Sequence, residues 1–100
     1  MTWAKTLGLQ WPIVQAPMAG VQDHRLAAAV AQAGALGSIP AAMVSLNALR
    51  QSMLALGASG VSTYNVNFFC HAPAAVDPAR EARWRETLAP SYAGLGLTAL

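Results

Sequence analysis

The chain has 100 residues, 55% of them hydrophobic and only 10% charged, with a formal net charge of +2. That length fits one small domain at most, or part of a larger one, and so weak a charge, with Glu81 and Glu86 set among Arg80, Arg83 and Arg85, reads as a solvated helix face rather than a nucleic-acid patch. Ordinary domains carry roughly a quarter charged residues, and a small one has much surface to cover. Much of this chain is therefore expected to be covered by further chain or by a partner subunit.

Trp3–Trp11 reads as a lead-in. Leu7, Leu9 and Trp11 alternate, which allows a short strand or a plug. Pro12–Ala16 is the first expected core strand. Ile13 and Val14 are β-branched, proline is allowed at a strand's first residue, and the nearly continuous apolar run suggests burial on both faces of a parallel sheet. Gln15 is the exception: a polar side chain there must find a hydrogen-bond partner or point at a site. Pro17 has no N–H and stops the ladder. Gly20 allows backbone conformations closed to other residues. Met18, Ala19 and Gly20 then offer successive backbone N–H groups at a strand's C-terminal end.

Asp23 is a helix N-cap, followed by Leu26, Ala29, Val30 and Ala33 on one expected apolar face. Gly34 suits the position after the helix. Ala35–Ile39 is the second expected strand, with Pro40-Ala41-Ala42 as its exit. Ser45 caps a second helix with Leu46, Leu49, Met53 and Leu56 on its face and Gly57 at its close. Thr63–Phe69 is the third strand, where Tyr64, Val66 and Phe68 alternate with Asn65, Asn67 and Phe69. Asp77-Pro78 is a helix start, with Asp at the cap and Pro at the first helical position. That helix is expected to run to about Leu88 and end before Pro90, with a short further helix over Tyr92–Leu97.

Strands alternating with amphipathic helices imply an α/β fold with a parallel sheet and right-handed crossovers. The spacing suits either a (β/α)8 barrel or an open doubly wound sheet. An eight-stranded barrel takes about 250 residues, so this chain would supply about the first three βα units. Neither GxGxxG nor GxxxxGK[ST] is present, which removes the dinucleotide and P-loop fingerprints.

Ligands of parallel α/β folds bind at the C-terminal ends of strands. Three segments lie there: Pro17–Gly20, Ile39–Ala42 and Asn67–His71. They bring backbone N–H groups, an amide and small side chains, which suit a flat, polar-edged ligand such as a flavin. Asn67 carries a donor and an acceptor, though asparagine commonly satisfies turn backbone instead. Met18 is either a core filler or a site residue. Cys70 and His71 are sequence neighbours that point apart on an extended chain, so they form no thiolate–imidazole pair. His24 reads as part of a solvated helix turn. Two distant histidines without carboxylates at ligand spacing argue against a metal.

Cys70 is the only cysteine, which rules out an internal disulfide and fits a reducing cytoplasm. Met1–Leu9 lacks the apolar stretch of a signal peptide. The Ala- and Gly-rich run Leu26–Met43, with Gln32 and Pro40, lacks the roughly 20 strongly apolar residues of a membrane span. A soluble, cytoplasmic protein is expected.

The blocks Pro12-Ile13-Val14-Gln15-Ala16-Pro17-Met18-Ala19-Gly20, Leu26-Ala27-Ala28-Ala29-Val30 and Ala33-Gly34-Ala35-Leu36-Gly37-Ser38 together resemble the start of a nitronate monooxygenase. Asn65-Val66-Asn67-Phe68-Phe69 is similar to that family's third-strand motif, and the likeness spans nearly the whole chain. It implies that residues 1–100 are the N-terminal part of a single FMN-binding TIM-barrel domain. Pro17, Met18 and Ala19 match its first flavin-contacting segment, and Asn67 a flavin-contacting asparagine. The activity implied is oxidation of an alkyl nitronate with O2 to a carbonyl compound and nitrite. The family's catalytic histidine and phosphate-binding loops are expected beyond residue 100, and neither His24 nor His71 matches that histidine. The isolated chain is accordingly expected to be inactive and to bind FMN poorly, with an unpaired edge on its third strand open to self-association. A flavin-dependent enoyl reductase, whose barrel begins similarly, and a catalytically inactive fragment are the alternative readings.

Overall fold

A computed structural model describes residues 2–98. The chain forms two units, Met1–Cys70 and His71–Leu100.

The first unit holds three parallel extended segments in chain order. The first is a single bridge, Val14 to Leu36. The second is β1, Ser38–Pro40, and the third is β2, Asn65–Asn67, paired so that Ser38, Ile39 and Pro40 face Asn65, Val66 and Asn67. The helices are α1 (Trp3–Thr6), α2 (His24–Gln32) and α3 (Leu46–Ala58). Each parallel neighbour is reached through a helical crossover, so the arrangement is α/β.

The core lies on the helix side of the sheet. Ile39 and Ala41 pack with Ala27, Ala28, Leu49, Leu56 and Val61, and Tyr64 and Val66 lie against them. Strand side chains alternate between faces, so Ser38, Pro40, Asn65 and Asn67 take the opposite face. Gly37 permits the close approach of α2: a Cβ there would lie 2.2 Å from the Ala27 carbonyl oxygen.

The helix starts form as their caps require. Asp23 accepts from the Arg25 N–H at 2.8 Å and Ser45 Oγ from the Ala48 N–H at 3.1 Å. Both helices close alike. Gly34 (φ +88°) donates to Ala31 O while Ala35 donates to Val30 O, and Gly60 (φ +80°) donates to Gly57 O while Val61 donates to Leu56 O. In α3 the two residues flanking this closure, Leu56 and Val61, are both core residues, the hydrophobic contact that commonly accompanies it. Gly57, expected to close α3, lies inside it instead.

Several other expectations are corrected. The lead-in is not a strand: Trp3–Thr6 makes one helical turn, and Gln10 and Trp11 both donate to Gly34 O. The first strand is reduced to one bridge because Pro12 and Pro17, which lack N–H groups, bracket it. Among the described residues it pairs on the β1 side alone, and Ile13 and Val14 are exposed rather than buried on both faces. The ladder strands are also shorter than Ala35–Ile39 and Thr63–Phe69. The buried side of α2 is Ala27, Ala28 and Ala31, not the face through Leu26, because only the smallest side chains fit against Gly37. On α3, Leu49 and Leu56 are buried as expected, while Leu46 and Met53 stay exposed.

The second unit is built on α4, Pro78–Gly94, capped by Asp77, which accepts from the Arg80 N–H at 3.0 Å. The helix does not stop before Pro90 but runs through it. A new helix after Pro90 would leave four N–H groups unsatisfied at its start, whereas continuation loses only the one that proline lacks. Proline's φ is already helical.

Candidate functional site

The site is best built from the ladder of the first strand. Leu36 N–H donates to Ile13 O and Gln15 N–H to Leu36 O, both at 2.9 Å. The next two bonds of a parallel ladder would run from Ser38 N–H to Gln15 O and from residue 17 N–H to Ser38 O. Residue 17 is proline and has nothing to donate. Two glutamine side chains supply both bonds. Gln15 Oε1 accepts from Ser38 N–H at 2.9 Å, and Gln22 Nε2 donates to Ser38 O at 2.8 Å.

The two carboxamides also bind each other. Gln15 Nε2 donates to Gln22 Oε1 at 2.7 Å and also contacts Ala16 O. Gln22 Oε1 accepts a second bond, 2.8 Å, from Met18 N–H. On its other flank Ser38 Oγ accepts from Asn65 Nδ2 at 3.1 Å. Ser38 is fully buried, and its N–H, carbonyl and hydroxyl are each held by an amide side chain from a different part of the chain. This satisfies the rule that buried polar groups be paired. Gln15 thus finds the partner its place in the sequence demanded.

Beyond this cluster the first turn opens. Val21 N–H donates to Met18 O at 3.4 Å, and Gly20, at φ +80°, takes the position of a type II turn that calls for glycine. Ala19 and Gly20 N–H groups have no partner among the described residues, and a Cβ at Gly20 would meet nothing within 4 Å. Met18 is 42% exposed. Its N–H is spent on Gln22, so only two of the three amides anticipated in this turn are available.

Asn67 ends β2, beside Pro40 at the end of β1. Its carbonyl accepts from Ala41 N–H at 2.9 Å, while its half-buried carboxamide has no partner among the described residues. Pro17, Met18, Ala19 and Asn67 therefore share the C-terminal edge of one parallel sheet, with β1 between them. His24 is the first residue of α2, Cys70 is exposed, and His71 belongs to the second unit. No group of three His, Cys, Asp or Glu side chains that could hold a metal occurs among the described residues, and no described helix is long and apolar enough to cross a membrane.

The edge is electrically neutral. At the start of α2, the carboxyl of Asp23 is held below its usual range chiefly by the Arg25 side chain and then by the Arg25 backbone N–H. Sequence reasoning missed Gln22, Ser38 and Asn65. A glutamine in a loop gives no periodic signal. The one clue was the proline that deprives Ser38 of its expected donor.

Residues 2–97 match the family model for nitronate monooxygenase. The chain is 45% identical over 96 residues to the nitronate monooxygenase of Pseudomonas aeruginosa, covering 94% of this chain and 27% of that protein. It is 42% identical over 92 residues to that of Paraburkholderia phytofirmans, covering 92% of this chain and 25% of that protein. The fold superposes on a crystal structure of nitroalkane oxidase from Streptomyces ansochromogenes with a TM-score of 0.70 and 33% identity, covering 94% of this chain and 26% of that one. The chain thus spans about a quarter of the length of the relatives it matches, and its α/β units are part of a (β/α)8 barrel.

Proposed function

The chain belongs to the nitronate monooxygenase family, and from that premise we propose that its sheet edge forms the ring-binding part of an FMN site in an oxidoreductase. The observation that carries this reading is the unspent hydrogen-bonding capacity at the strand ends: two turn amides at Ala19 and Gly20 and the carboxamide of Asn67, beside apolar Met18. Neutral donors without partners among the described residues, together with a side chain that can both donate and accept, fit an isoalloxazine edge.

In this reading the Ala19 and Gly20 N–H groups donate to ring heteroatoms. Asn67 fixes the ring's direction by offering donor and acceptor together. Met18 packs on the ring and keeps water from it, and Pro17 stiffens the entry to the turn. FMN, when bound, supplies the electron transfer by which an alkyl nitronate and O2 give a carbonyl compound and nitrite. Binding of the ring's phosphate tail and the proton chemistry are assigned to residues outside these 100. The isolated chain is therefore expected to bind FMN weakly and to release no nitrite from alkyl nitronates.

The test is a titration of the 15N-labelled chain with FMN and, separately, with riboflavin, which lacks the phosphate. Resonances of Ala19, Gly20 and the Asn67 side chain should move with both ligands, and Asn67→Ala should weaken the response. Shifts confined to other regions, or a response to FMN without any to riboflavin, would sink the proposal.

A further inference from the structure

We infer that Gln22 is the positioning residue of this edge: its carboxamide locks the Met18–Val21 turn onto β1 and so sets where the Ala19 and Gly20 N–H groups point. The consequence for a flavin rests on the reading above; the lock itself rests on geometry alone.

Three contacts converge on one side chain. Gln22 Nε2 reaches Ser38 O at 2.8 Å, and Gln22 Oε1 takes Met18 N–H at 2.8 Å and Gln15 Nε2 at 2.7 Å. The direction of the amide follows from its partners. Ser38 O can only accept and Met18 N–H can only donate, so a flipped Gln22 would set like groups against each other at both places. Gln15 is fixed in the same way, because its Oε1 faces Ser38 N–H. Reversing Gln22 would break all three of its bonds, and reversing Gln15 would break its bonds to Ser38 N–H and to Gln22.

The position of Gln22 explains why the task falls to it. It lies between the turn and the Asp23 cap of α2, and α2 itself is seated on the sheet at Gly37. Gln22 is thus anchored by a helix on one side while it holds a proline-terminated turn on the other. Pro17 cannot make that attachment through its own backbone. A turn held only by the 3.4 Å contact from Val21 to Met18 would present its amides over a range of directions. A bound ring needs them in one, because misdirected donors lose the advantage of a preorganised site.

Amide hydrogen exchange on the 100-residue chain tests the lock without any ligand. Gln22→Met keeps the length of the side chain and removes its hydrogen bonds. Protection at Met18 should fall roughly tenfold, while Asn65 N–H, which is bonded to Gly37 O across β1 and β2, keeps its parent value. Gln22→Glu adds a signature that a merely structural role lacks. A protonated acid can donate to Ser38 O and still accept from Met18, whereas the ionised form turns an acceptor toward an acceptor. Met18 protection in that variant should recover as pH falls through about 4–5, measured against the parent at each pH. Parent-like protection of Met18 in Gln22→Met would overturn the proposal. So would an equal loss at Asn65, or a Gln22→Glu profile that tracks the parent. Riboflavin-induced shifts at Ala19 and Gly20 should also shrink in Gln22→Met. If the parent itself shows none, the flavin reading falls while the exchange data still decide the lock.

Discussion

Gly37→Ala puts the seating of α2 to a direct test. The added methyl would lie 2.2 Å from the Ala27 oxygen and 2.8 Å from both its carbonyl carbon and its Cα, where ordinary contact begins near 3.4 Å. All three atoms are backbone, so no side chain can swing aside, and α2 must withdraw by about 1 Å. Ala27 and Leu56 are fully buried in the same cluster, so withdrawal also loosens packing around them. Overpacking of this kind costs about 1–3 kcal/mol, and a backbone obstacle puts this case at the upper end. For a chain of this size about 3 kcal/mol corresponds to a fall in thermal midpoint of roughly 12–24 °C. Gly57→Ala is the internal control. Gly57 lies inside α3 with nothing within 4 Å of a new Cβ, so the same substitution should stabilise by about 0.5–1 kcal/mol. Thermal and urea unfolding of both variants would decide. A Gly37→Ala midpoint within a degree or two of the parent, or parallel losses in the two variants, would refute the close-seating argument.

Two more outcomes follow from the helices. Asp23 has a folded pKa below its unfolded value because Arg25 pairs with it. Its contribution is complete above the unfolded value near ~4 and is lost as pH falls through the lower folded value. The thermal midpoint should therefore drop more on acidification in the parent than in Asp23→Asn, which caps without titrating; equal acid slopes would contradict this. Pro90 lies inside α4, where proline costs on the order of 3 kcal/mol relative to alanine. Pro90→Ala should raise the helical circular dichroism signal of the His71–Leu100 unit, and an unchanged signal would mean that the helix pays little for its proline.

Where polar caps stand beside helical runs, the fold was readable from residues alone. Asp23, Ser45 and Asp77-Pro78 each start a helix where expected, because a cap acts on backbone within three positions of itself. The strands were harder. Their extent depends on partners far along the chain, and two prolines cut the first to a bridge. The Leu26 face of α2 misled because periodicity cannot register that Gly37 draws the helix so close that only alanines fit beneath it. At the candidate site, the glycine-proline turn and Asn67 could be picked out by residue type, and Gln15 by its polarity in an apolar run. Gln22 could not, since its role exists only once Ser38 O has come within its reach from sixteen residues away.

The amide cluster around Ser38 also bears on how the edge responds to its solution. Gln15, Gln22 and Asn65 hold it together through dipoles, with no net charge among them. Coulombic attraction between exposed ions decays within a Debye length of about 8 Å at physiological ionic strength, and a clamp of ion pairs would slacken as salt was added. Short carboxamide bonds around a buried serine carry no such dependence. The geometry of this turn is therefore insulated from changes in electrolyte, and any salt effect on a ligand held there would report the charges of the ligand itself or of groups elsewhere.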